Sequence, residues 1–143
     1  MDRMQPINLT ASAYTLTKEA HSGTTLTVNR AAGSTLTLPA SAGDGSIFEI
    51  VIGTTVTSNS VIVQVANSSD IMSGVAWQAA DGGSTSNAWE TGASDDTITM
   101  NGTTTGGIKG DRIVLKDVSA NVWAVSIFGA ATGTEATPFS AAV

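Results

Sequence analysis

The chain has 143 residues, of which 41% are hydrophobic and only 13% charged, with a net charge of −6 and no cysteine. That length suits one domain with its own core, and the missing cysteine excludes disulfides, thiolate nucleophiles and Cys-ligated zinc. The acidic balance disfavours nucleic acid, which needs clustered Lys and Arg; Lys109, Arg112 and Lys116 fall close together, but Asp111 and Asp117 interleave with them.

With so few charges, the polar surface must come from Thr, Ser, Asn and Gly. Thr is β-branched and fits a pleated, half-solvated surface, so the composition leans toward sheet. Residues 1–13 carry no apolar h-region, so they are not read as a secretory signal. No apolar run reaches bilayer length: Ile47 to Ile52 is the longest, and Glu49 breaks it. The expectation is a soluble chain that folds in the cytoplasm where it is made, with no membrane partner. Asn-x-Ser/Thr sequons at Asn8, Asn67 and Asn101 are read as chance matches in a Thr-rich chain.

Period-2 alternation begins at Tyr14-Thr-Leu-Thr17 and returns at Thr24–Asn29 and at Ser34–Leu38, which Pro39 stops. In each, aliphatic residues share one face and threonines the other, as a half-buried strand requires. The segments opening at Gly23 and Gly33 look like consecutive rungs of one meander; the repeat does not continue, so no solenoid is predicted. Residues 40–46 form a loop, Ile47–Gly53 is the most apolar strand, and Val61–Ala66 follows after a polar turn. Ile71–Gln78 reads as a strand bent at Gly74, residues 80–94 as a long surface excursion, and Asp96–Met100 as a return to strand. The clearest hairpin pairs Asp111–Val118 with Asn121–Phe128 around a Ser119-Ala120 turn. On its second strand Val122, Ala124, Ser126 and Phe128 alternate against Trp123, Val125 and Ile127.

The predicted fold is therefore all-β: an antiparallel β-sandwich or barrel, jelly-roll-like, with extended terminal arms. Residues 1–13 form the N-terminal arm, 14–129 the single β domain and 130–143 the C-terminal tail.

Chemistry is hard to find in this sequence. The single histidine, His21, lies in the polar turn Glu19–Gly23 with no nucleophile elbow in sight, and with Glu19 it offers only two metal ligands. Asp95 and Asp96 are adjacent, so on a strand they point to opposite faces. Asp44, Asp70 and Asp81 sit in turns but not in a calcium-loop pattern, and turn aspartates usually bond their own backbone. The glycine-rich stretches 82–87 and 103–107 lack the lysine of a phosphate loop. No catalytic residue, metal site or cofactor is predicted.

Of the tryptophans, Trp123 lies mid-strand and is assigned to the core. Trp77 and Trp89 flank the excursion, where a large ring has less reason to sit unless something covers it; stacking on a sugar is one reading and burial against a neighbouring subunit is preferred. In the arms, Ile7, Leu9 and Phe139 stand out as isolated anchors. The candidate contacts with a neighbouring subunit or other partner are thus Ile7, Leu9, Trp77, Trp89 and Phe139.

Several stretches together resemble a known group. Tyr14–Gly23, Leu26–Arg30, Gly33–Pro39, Ile47–Asn59, Gly110–Leu115 followed by Trp123, and Gly133–Pro138 are similar to the strand-and-turn pattern of small β-rich phage virion proteins of the capsid decoration (cement) or head-fibre type. The resemblance covers most of the chain but not Asp70–Ser94. It implies a structural protein on the outer capsid surface, without catalytic residues. Its partners would be the major capsid protein and copies of itself, a homotrimer first and a dimer second. The alternative it leaves open is a head-fibre or tail-fibre receptor-binding module.

Overall fold

The computed structural model describes residues 5–143. Twelve strands and one short helix make up its regular structure: β1 (Ile7–Leu9), β2 (Ala13–Thr15), α1 (Lys18–His21), β3 (Thr25–Val28), β4 (Ser34–Thr37), β5 (Ile47–Ile52), β6 (Val61–Gln64), β7 (Ile71–Ala80), β8 (Thr85–Glu90), β9 (Thr97–Met100), β10 (Arg112–Ser119), β11 (Val122–Ala131) and β12 (Phe139–Ser140). They form a seven-stranded sheet in the order β1-β3-β5-β10-β11-β7-β8 and a five-stranded sheet in the order β12-β9-β6-β4-β2. The all-β class is as the alternation predicts.

The wholly antiparallel arrangement is not what the chain adopts. Five of the ten strand pairs are parallel: β1 with β3, β3 with β5, β2 with β4, β4 with β6, and β7 with β11. The first six strands alternate between the sheets, odd ones joining the larger and even ones the smaller. The chain thus winds around the core in three parallel coils, and β3 and β4 are not rungs of one meander. Alternation along a strand fixes which side chains face inward, but not which strand lies alongside. The short, glycine-bearing connections allow either a hairpin return or a crossing to the opposite sheet.

The inward faces of both sheets meet in one apolar cluster. Leu26, Val28, Phe48, Ile50, Ile113, Leu115 and Trp123 of the larger sheet and Leu36, Val61, Val63, Ile98 and Met100 of the smaller are fully buried. Phe48 and Trp123 pack edge to face, with ring centroids 5.6 Å apart and planes at 73°. Side chains of this size contribute roughly 1.5–3 kcal/mol each by burial. Thr25, Thr27, Thr35 and Thr37 take the half-buried outward positions the alternation assigns them.

The described parts of both terminal segments are folded into the sheets. Leu9 is 1% exposed, on a strand paired with β3, and the Tyr14 hydroxyl holds the following corner by accepting the N–H groups of Thr10 and Ala11. At the other end Phe139 is buried on β12, which pairs with β9, and the N–H groups of Ala142 and Val143 donate to Asp96 Oδ1. The apolar residues of these segments fill gaps in the chain's own core. Residues 1–4 of the predicted N-terminal arm lie outside the described residues.

Two further segments differ from the sequence reading. Residues 80–94 are not a long excursion, because β7 and β8 form an antiparallel hairpin whose turn is only residues 81–84. The β10–β11 hairpin forms as predicted, but its turn is Ala120-Asn121, with a bulge between Asp117 and Ser119. Asn121 adopts φ 65°, a left-handed conformation that Asn tolerates better than Ala.

Candidate functional site

The outer face of the seven-stranded sheet is built around the pairing of β7 with β11, ten residues in unbroken parallel register. Inward-facing Ala76, Gln78, Val125 and Ile127 anchor both strands. This register depends on Gly74: any Cβ there would collide with the carbonyl of Val125, its direct partner. The alternation then turns Trp77 and Phe128 outward, directly opposite one another. They are 52% and 59% exposed, the largest of the exposed apolar side chains among the described residues.

On β7 and β11 the outward residues around this pair are small and uncharged, with the charges of Arg112 and Glu90 on the strands that flank them. Ala88 stands beside Trp77 on β8, Arg112 beside Phe128 on β10, and exposed Val75 one step along. Where the β7–β8 turn rises past the sheet, Gly83, Ser84, Thr85 and Ser86 close one side of an open depression of about 430 Å³, with Trp77, Ala79, Phe128 and Gly129 as its floor. Its rings offer apolar faces, and its rim offers hydroxyl and backbone hydrogen-bonding groups.

Buried polar groups fix the frame beneath. Gln78 is fully buried; it donates to the Thr105 carbonyl and accepts from the Trp89 indole N–H at 3.2 Å. The Asp111 carboxylate accepts from the N–H groups of Gly107, Ile108 and Ala130, tying the 101–110 loop to the end of β11. Burial pushes its carboxyl above the ordinary range, and the N–H groups of Ile108, Ala130 and Gly107 only partly oppose this. Gly106 and Gly129 leave the room that this carboxylate occupies.

The five predicted contact residues do not converge. Trp77 is exposed on the outer face of the larger sheet. Trp89 faces inward, half-buried against the core with its N–H held by Gln78, so it is not a surface anchor. Leu9 and Phe139 belong to the core and Ile7 packs on its edge. Phe128, which completes the patch, was absent from the candidates. Its signal is present in the sequence, since it shares the polar face of its strand with Ser126 while Trp123, Val125 and Ile127 fill the other.

The histidine and the turn aspartates are engaged within the chain. The N–H of Thr17 donates to His21 Nδ1, Asp44 pairs with Lys18, Asp70 accepts from the Ser41 N–H, and Asp81 accepts from the Gly133 N–H. Asp95 takes the Gly92 N–H, whereas its neighbour Asp96 takes the Thr97 hydroxyl and the C-terminal N–H groups. Among the described residues no three His, Cys, Asp or Glu side chains gather in a way that could hold a metal ion. Nor, among these residues, is any helix long and apolar enough to cross a membrane.

No family model matches the chain, and neither the curated proteins nor the solved structures yield a match. The site therefore has to be judged on its own geometry.

Proposed function

We propose that this chain is a non-enzymatic structural protein of a phage virion, a decoration (cement) protein that binds the outer surface of the major capsid protein shell and stabilises it. The observation that carries the reading is the in-register pair Trp77 and Phe128, exposed on the uncharged outer face of β7 and β11. Aromatic residues with few charges around them are the composition of the centre of a protein interface. An exposed apolar patch framed by polar residues marks a contact site in a soluble protein. The resemblance to phage virion proteins supplies the setting. We read the two facing sheets as a sandwich, a stiff body that transmits load between the subunits it touches. With Ile7–Leu9 and Phe139–Ser140 paired into the sheets, the contact moves from extended arms to the sheet face.

A second reading rests on the depression beside the pair. The hydroxyl-bearing rim at Ser84 and Ser86, next to two aromatic rings, suits a sugar ring, which would make the chain a head-fibre or tail-fibre receptor-binding module.

Location and copy number on purified virions separate the two, by cryo-EM together with densitometry against the major capsid protein. Density at regular positions over the whole shell, with Trp77 and Phe128 against a capsid subunit, is expected for decoration. Copies confined to the tail or to a few vertices overturn it in favour of receptor binding.

A further inference from the structure

Four strands end the two sheets: β1 and β8 in the larger, β2 and β12 in the smaller. Exposed edges invite pairing with other chains, and stable monomers blunt them by shortness, Lys, Pro or bulges. Three of these edges are blunted by length, being three, three and two residues long. The fourth, β8, runs for six residues, Thr85–Glu90, without Pro, Lys or a break in register.

Its free side can be assigned. The Thr91 N–H donates to the Gly74 carbonyl, so Gly74 and Thr91 form a hydrogen-bonded pair at the start of the β7–β8 ladder. Antiparallel ladders alternate between bonded and non-bonded pairs. Counting along the register, Ser86, Ala88 and Glu90 fall in the non-bonded pairs, and their N–H and C=O groups point away from β7. Among the described residues no other segment bonds to this row.

We propose that a second copy of this chain pairs with β8, antiparallel, about a two-fold axis at Ala88. In that register Ala88 faces Ala88 of the second copy and Ser86 faces its Glu90. All three outward residues of each strand are then satisfied, in about six hydrogen bonds. The single charge on the strand, Glu90, meets a serine and not another glutamate. The side chains agree as well. Phe128, Trp77 and Ala88 form one outward row across β11, β7 and β8. The two-fold axis joins that row to its copy through the smallest residue in it. The two Trp77 residues then stand three strand spacings apart, about 14 Å, and the two aromatic pairs become one stripe across a continuous fourteen-strand sheet. Such an interface is isologous and closes after two subunits, so it fits a dimer rather than a trimer.

The proposal concerns the isolated chain and does not depend on what the stripe contacts. Sedimentation velocity over a concentration series tests it, with two cysteine variants in a chain that has none. A reversible dimer is expected. Oxidised Ala88→Cys is expected to cross-link at least tenfold faster than Asn87→Cys, because directly opposed Cα atoms about 5.5 Å apart lie within disulfide reach. Ala88→Lys, which sets two ammonium groups face to face on an exposed position, is expected to sediment as a monomer and to melt where wild type does at concentrations too low for it to pair. A wild-type monomer at every concentration, a trimer, a dimer that survives Ala88→Lys, or faster cross-linking at position 87 would each overturn the assignment.

Discussion

The Lys18 ammonium lies 3.0 Å from the carboxylate of Asp117, ninety-nine positions further along the chain, and joins α1 to the bulge that ends β10. The Asp117 side chain is wholly buried and also accepts the N–H groups of Ala42 and Gly43 and the Ser41 hydroxyl. One carboxylate therefore holds a helix, a loop and a hairpin together. Replacing Asp117 with Ala strands several donors at once, and a loss of about 3–5 kcal/mol is expected. Urea denaturation followed by tryptophan fluorescence measures it; a loss near zero would show that the loop closes without the carboxylate.

The same group sets part of the acid response. Burial alone raises the Asp117 carboxyl, but the Ala42 N–H, the Lys18 ammonium, the Gly43 N–H and the Ser41 hydroxyl outweigh it and hold it below the ordinary range. A depressed folded-state pKa gives stability that is present above the unfolded value, about 3.9, and lost as pH falls through the folded one. Asp111 has the opposite sign: its raised pKa means that protonation favours the folded state. Stability against pH from 5 down to 2 is thus expected to fall less steeply in Asp117→Asn than in wild type, and more steeply in Asp111→Asn. Parallel acid limbs in all three proteins would contradict this.

Gly74 is expected to tolerate no side chain. A Cβ there meets the Val125 carbonyl within the longest parallel pair of the fold. Gly74→Ala should cost about 2–4 kcal/mol by forcing β7 and β11 apart. Gly82→Ala, in an open turn with nothing near the added methyl, tests conformational strain alone and should cost about 1 kcal/mol. Thermal melts of the pair give the comparison.

The terminal anchors provide a direct test of where the fold ends. Leu9 and Phe139 are core residues, so Leu9→Ala and Phe139→Ala should each cost about 2–5 kcal/mol. Free arms would give changes within about 0.5 kcal/mol, as surface substitutions usually do.

Trp77 and Phe128 should behave in the reverse way. Replacing both with Ser is expected to move stability by no more than about 1 kcal/mol, because each is more than half exposed. Under the proposed function it abolishes binding to capsid shells, measured by co-sedimentation. Retained binding would place the contact elsewhere.

Much of the molecule was legible in the sequence because alternation is a local property. Strands near Thr25, Ser34, Ile47, Val61, Ile71, Thr97, Arg112 and Val122 follow from a period of two, and so does the inward direction of Leu26, Leu36, Phe48 and Trp123. Low charge and the lack of cysteine narrowed the chemistry in the same local way. Strand partnership was not legible. A parallel crossing between two sheets and an antiparallel return leave the same pattern on a short strand, so the coils of β1 to β6 appear only once the chain is closed around its core. The inward turn of Trp89, the burial of Leu9 and Phe139, and the meeting of Trp77 with Phe128 were decided at that level as well. Each depends on which strand lies next door, a contact between residues far apart in sequence that no local pattern encodes.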